Sequence, residues 1–266
     1  MSLAIPHRKR HPRQRSNTCS LRYFLVLALG LMVAGGCIQM EHDLQIQGDG
    51  SAVYQLNYAI SEQAISQFHT MFALRRDMAL AQGDPPDPDP APLIMTFLNP
   101  STSAIREHIR AWEPHGISIR TLRENARSLW RAYTIVLDIA DIQRLSEIPF
   151  FAEQGFTLER MASGEYAFAR PAIVSQPGAI PPQFSAQELE YIRPFLTEFK
   201  TEVRIEVPGR ITSTTAGRTR LQTAIWSFDF DRRPEAVHQL LQQQFHVVFH
   251  PPTGVTLPEL RLPEQP

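Results

Sequence analysis

Apolar and polar residues alternate at period two over several stretches of this chain, as they do in half-buried strands. Between 41 and 60, Leu44, Ile46, Val53, Leu56, Tyr58 and Ile60 stand among polar neighbours, and Gly48-Asp49-Gly50 interrupts the run. Glycines at such a break supply the positive φ of a tight turn, so a hairpin is expected. Residues 116–124 and 129–138 read as a second strand pair, and 156–161 with 165–169 as a third around Ser163-Gly164. The most regular stretch is 201–207, where polar and apolar residues alternate without an error. Pro208-Gly209 then turns the chain, 210–214 continues extended, and Ala216-Gly217 turns it again into a strand over 221–230 that holds Trp226. A last strand is expected over 245–249.

Helical spacing separates these strands. Ser61 can cap a helix reaching about Gln82, with Ile65, Phe68, Met71 and Phe72 on one face. Ser101 or Ser103 can cap another, whose buried side would be Ile105, Ile109 and Trp112. Shorter helices are expected over 138–148, from Ser185 with Leu189, Ile192, Phe195 and Leu196 apolar, and over 234–244. Five prolines between Gly83 and Pro92 remove backbone donors and make that segment an extended surface loop. The stretch 170–183 is also proline-rich loop, and 251–266 reads as a loose proline-rich tail. Strands fall in adjacent pairs, which predicts an α+β fold: an antiparallel sheet with helices packed on one face.

The first 36 residues have a different character. Arg8, Lys9, Arg10, Arg13, Arg15 and Arg22 form a basic stretch without an acid, and 24–34 is apolar without a break. That is the layout of an export signal, and the apolar run is too short for the ~20 residues of a spanning helix. Val33-Ala34-Gly35-Gly36-Cys37 resembles a lipobox, with Ala34 where Leu is commoner. The resemblance implies cleavage between Gly36 and Cys37 and diacylglycerol on the Cys37 thiol. Cysteine usage agrees. Cys19 would leave with the signal, and the remaining odd cysteine of an exported chain finds its use in acylation. The expected organisation is a signal peptide over 1–36, an α+β envelope domain over 37–250, and the tail.

Cleavage also changes the charge. Of 26 basic and 27 acidic residues the mature chain keeps 20 and 27, a net charge of −7. A nucleic-acid binder carries a basic excess, so that class is set aside.

Val203-x-Ile205-x-Val207-Pro208-Gly209-Arg210-Ile211, the polar turn Ser213 to Gly217, and Ala224-Ile225-Trp226 resemble the strand, Pro-Gly, strand, turn and Trp-strand pattern of LppM-like bacterial lipoproteins. Members also open with a strand and a Gly-Asp-Gly-Ser turn, as Gly48 to Ser51 does here. The resemblance implies a membrane-anchored α+β domain exposed in the envelope, and it transfers no catalytic residue.

Candidate chemistry is sparse. His246 and His250 are four apart on an expected strand, about 13 Å, too far to share one ion. His108 and His115 are separated by Pro114, and neither the HExxH nor the CxxC pattern occurs. Asp49 sits in a turn, without the spaced acids and distal Glu of a calcium loop. The acid pairs Asp229/Asp231 and Glu188/Glu190 could serve glycoside hydrolysis, but solvated charge is the simpler reading. Arg75-Arg76 and Arg232-Arg233 could touch lipid phosphates, again against solvated faces. The sequence therefore predicts no catalytic residue, no metal and no cofactor. It predicts a lipid-anchored interaction or ligand-binding module of the cell envelope, with hydrolysis of an envelope polymer as the rival. Expected partners are the membrane, through the anchor, and an envelope protein or lipid. In a diderm source the outer membrane is expected, because Ile38 follows the cysteine where Asp would commonly signal inner-membrane retention in enteric bacteria.

Overall fold

A computed structural model of the chain describes residues 38–66, 73, 76, 101–127, 129–152, 154–172, 189, 193 and 198–261. Strand β1 (Ile38–Ile46) pairs antiparallel with β2 (Ala52–Ser61) through the expected hairpin. Its turn needs one left-handed residue, Gly50 at φ 86°. The Asp49 carboxylate accepts from the Ser51 amide at 2.9 Å and from its hydroxyl at 2.7 Å. The strand pair β3 (Ile117–Arg127) and β4 (Trp130–Ile139) follows, and β4 also pairs with β2.

Strands β5 (Thr157–Arg160) and β6 (Tyr166–Arg170) form the third hairpin, with Gly164 at φ 87° in its turn. Then come β7 (Lys200–Glu206), β8 (Arg210–Thr214), β9 (Arg218–Arg220), β10 (Thr223–Asp229) and β11 (Phe245–His250).

These strands make two sheets. The first has seven, ordered β3-β4-β2-β1-β7-β10-β9; the second has four, ordered β5-β6-β11-β8. The expected α+β class holds in its coarse form, a mixed fold dominated by sheet, but the structure differs from the expectation in two respects. β1 and β7 run parallel, so the large sheet is not wholly antiparallel. The second sheet also takes a large share of the covering expected of helices. The chain switches sheets at Pro208-Gly209, between β7 and β8.

Helix α1 (Thr102–Arg110) begins at Ser101, whose hydroxyl accepts from the Ala104 amide at 3.1 Å. Ile105 and Ile109 are buried and Trp112, just past the helix, is partly so. Of the short helix expected over 138–148, the first two residues belong to β4 and Ile142–Glu147 forms a 3-10 turn; the short helix α2 (Pro149–Ala152) follows beyond it. Helix α3 (Ala236–Gln242) buries Ala236, Val237 and Leu241. Of the helix expected from Ser61, residues 62–66 are helical, and the Ser61 hydroxyl accepts from the Ala64 amide at 3.0 Å. The expected face residues Phe68, Met71 and Phe72, the proline loop 83–92 and most of the helix from Ser185 lie outside the described residues.

The register gives the large sheet one apolar and one polar face. Leu44, Leu56, Ile135, Ile205 and Trp226 share the covered side with His42 and Tyr54. The opposite side carries Glu41, Asn57, Thr134, Glu202 and Arg204, joined by side-chain hydrogen bonds and ion pairs such as Arg204–Glu202 at 2.5 Å. Trp226 is 2 % exposed and meets Phe245 of the second sheet edge-on at 5.0 Å.

Residues 251–261 are a correction. Expected as part of a loose tail, they lie across both sheets: Leu257 and Leu260 are buried, and Leu260 bridges to Leu158. Prolines spare this segment unmet amide donors, and its two leucines supply the burial that holds it.

Candidate functional site

Four strand ends meet on the polar face. β1 and β4 finish there, β2 and β3 begin there, and they surround a cleft of about 380 Å³. Its polar lining is Gln45, Gln47, Ser51, Ser118, Arg120 and Asp138. Gly116 and Ala140 keep the mouth open because neither carries a long side chain. Gly116 takes φ 78°, a left-handed value that closes the preceding 3-10 turn and starts β3.

Hydrogen bonds fix several of these groups. A bulge in β3 at Arg120 shifts the register against β4. The Arg120 guanidinium there grips the Asp138 carboxylate with two nitrogens, Nε donating to Oδ2 at 3.1 Å and Nη2 to Oδ1. The Gln45 amide donates to Glu206 of β7 at 3.0 Å, which orients its carbonyl. The cleft thus presents amide, hydroxyl and guanidinium–carboxylate groups on a rigid sheet. Such groups donate and accept in a plane, the chemistry that recognises hydroxyl-rich ligands. Among the described lining residues Asp138 is the one carboxylate, and it is paired with Arg120.

A second polar cluster lies under the large sheet. The His42 Nδ1 and the Tyr54 hydroxyl are 2.6 Å apart. The Arg170 guanidinium sits 5.3 Å from the Phe245 ring centre and 5.9 Å from that of Phe156. Burial, and then the charge of Arg170, pull the His42 pKa down to about 4. Burial pushes the Tyr54 phenol up and pulls Arg170 down. His42 is therefore neutral near pH 7, and the charge in the cluster is that of Arg170.

The residues singled out from sequence are scattered. Gly36, Cys37, Arg75, Glu188 and Glu190 lie outside the described residues; Arg76 is exposed. His246 and His250 sit at the two ends of β11. His108 stands edge-on to Trp112, whereas His115 hydrogen-bonds Glu147 at 2.8 Å. Asp229 pairs with Lys200 at 3.8 Å and Arg232 at 3.7 Å. Among the described residues no cluster of metal-ligating side chains forms, and no helix is long and apolar enough to cross a membrane.

Sequence reasoning missed the cleft and the basic cluster. Arg170 had one local signal: it continues the covered side of β6 two residues beyond Phe168 and four beyond Tyr166. The cleft had none, because its walls come from segments about 70 to 90 residues apart, and such non-local pairing leaves no local pattern.

No family model matches the chain, and no curated protein matches it. Among solved structures it is similar to the folded domain of the LppM protein of Mycobacterium tuberculosis, with 9 % identity and a TM-score of 0.38 over 84 % of this chain and 95 % of that one.

Proposed function

We propose that this chain is a lipid-anchored protein of a bacterial cell envelope whose domain binds a hydroxyl-rich envelope ligand without turning it over. The cleft carries the reading. It lies at the far end of β1, seven residues beyond Ile38, roughly 23 Å at about 3.3 Å per residue. An acyl anchor on Cys37 holds the near end of β1 at the membrane and presents the cleft to the aqueous envelope. Its amides, hydroxyls and fixed Arg120–Asp138 pair suit glycan hydroxyls better than they suit an apolar ligand. In a diderm source the membrane is the outer one.

Hydrolysis of an envelope polymer is the rival. It needs two carboxyl groups about 5–10 Å apart, one of them free to move a proton. The described lining supplies Asp138, held by Arg120.

Titration of the purified mature protein with soluble cell-wall glycan fragments separates the two. Saturable binding that weakens at least tenfold in a Gln45→Ala/Ser118→Ala double variant, with no new reducing ends, is the expected result. Accumulating reducing ends establish the hydrolase, and equal binding by the variant removes the cleft. Cys37→Ser is expected to leave a precursor that retains residues 1–36 and takes up no labelled fatty acid; labelled variant would refute the anchor.

A further inference from the structure

The strand register brings the start of β1 close to the tip of a hairpin. Ile38 pairs with Ile60 of β2, Ile60 with Arg131 of β4, and Ser61 with Trp130. Two strand spacings of about 4.8 Å separate Ile38 from the β3–β4 tip, roughly 10 Å across the sheet. At that tip Leu129 is 70 % exposed and Trp130 is half-buried. The backbone beneath them is fixed: the Leu129 carbonyl accepts from the Glu62 amide at 2.8 Å, and Arg131 pairs with the Glu62 carboxylate at 2.6 Å.

Single exposed apolar side chains are ordinary on soluble proteins. Leu221 is another, 94 % exposed. Position separates the two. Leu221 stands in the turn before Thr223, which pairs with Glu206 at the far end of β7. Leu129 stands at the near end, where the chain comes from Cys37. The peptide bond places the Cys37 Cα about 3.8 Å from that of Ile38. Ile38 is itself paired in the sheet and 5 % exposed. No flexible spacer therefore lies between the acylated residue and the folded domain, and the diacylglycerol draws the near end of the sheet onto the lipid headgroups.

We infer that Leu129 and Trp130 form a second membrane contact, entering the bilayer interface beside the acyl anchor and fixing the orientation of the domain. The inference rests on acylation of Cys37. Leucine offers an apolar body to the acyl boundary, and tryptophan prefers the interface because its ring is apolar and its N–H is polar. An anchor alone leaves the domain free to tilt; two contacts about 10 Å apart hold β1 upright with the cleft outward.

The test places a nitroxide at Leu129→Cys or at Leu221→Cys in the full chain, processed in cells and reconstituted into vesicles of phosphatidylethanolamine and phosphatidylglycerol. The acylated Cys37 thiol is blocked, so each label is unique. Collision with oxygen, relative to a water-soluble nickel chelate, is expected to rise several-fold at 129 on vesicle binding and to stay unchanged at 221. Mass spectrometry of the mature N-terminus accompanies each sample. A diacylglyceryl Cys37 with an aqueous label at 129 overturns the membrane contact and leaves the anchor standing. An N-terminus without lipid overturns the anchor and the contact with it.

Discussion

His42 on β1 and Tyr54 on β2 share a 2.6 Å hydrogen bond on the covered face of the large sheet, near the charge of Arg170. Burial first, and Arg170 second, lower the His42 pKa from 6.5 to about 4. In the unfolded chain the imidazole takes a proton near its ordinary value, whereas in the folded chain it resists until the lower one. Between these values the unfolded state binds more protons, so stability falls as the pH falls. The contribution is complete above about pH 6.5 and lost below about pH 4, a change of about 3–4 kcal/mol at ~1.4 kcal/mol per pH unit. Carboxylates with lowered pKa, such as Glu147 beside His115, add their losses in more acid solution. Urea titrations at several pH values are expected to show a flatter profile for His42→Gln than for the parent over this window. Parallel profiles would contradict the assignment.

Trp226 combines close packing with an unmet donor. Its ring is buried against Phe245, and its indole Nε1 has no hydrogen-bond partner among the described residues. Trp226→Phe removes that donor, worth about 1–3 kcal/mol when unsatisfied, and leaves a modest void. The two effects oppose each other, so the expected net change is within about 1 kcal/mol of the parent. Trp226→Ala keeps only the loss and is expected to cost about 3–5 kcal/mol. Equal costs for both variants in urea denaturation would mean that the indole N–H is satisfied.

Local pattern predicted local structure well. Alternation over 201–207 marks β7, and Gly50 marks the β1–β2 turn, because both signals act between chain neighbours. The parallel partnership of Leu44 with Ile205 lies beyond such signals: the two residues are 161 apart, and either could pair with any edge of matching polarity. The second sheet escaped for the same reason. β8 continues from β7 in sequence, yet pairs with β11 across the Pro208-Gly209 switch. The cleft inherits this difficulty, since Gln45 and Asp138 become neighbours only once β1, β2 and β4 are in register.

The switch also shows why glycine stands at 209. The expected reason was a turn. The observed reason is space: a Cβ at Gly209 would lie 2.2 Å from the His250 carbonyl oxygen and 2.9 Å from its carbon. These are backbone atoms and cannot swing aside. Gly209→Ala is expected to separate β8 from β11 and destabilise the protein by about 2–4 kcal/mol. Gly217 meets nothing within 4 Å, so Gly217→Ala is the matched control, expected within about 0.5 kcal/mol of the parent. Thermal unfolding followed by circular dichroism reads both, and equal midpoints for the two variants would defeat the steric account.

Docking of residues 251–261 makes the C-terminal segment part of the core. The Tyr166 hydroxyl donates to the Leu257 carbonyl at 3.2 Å and accepts from its amide at 3.0 Å, so one phenol closes both backbone groups of a buried residue. Pro258 fills the space beside Gly50, where a Cβ would come within 2.5 Å of its ring, and Gln143 donates to the Glu259 carbonyl at 2.9 Å. A stop codon after His250 would uncover Leu158 and Tyr166 and forfeit the burial of Leu257 and Leu260, about 1.5–3 kcal/mol for each leucine. It would also strand the Tyr166 hydroxyl in a site built to close it. The truncated chain is expected to lose at least about 3 kcal/mol and to expose new sites to protease. Truncation after Arg261 keeps every one of these contacts and is expected to change neither property. A chain ending at 250 that unfolds at the parental urea concentration would restore the loose-tail reading.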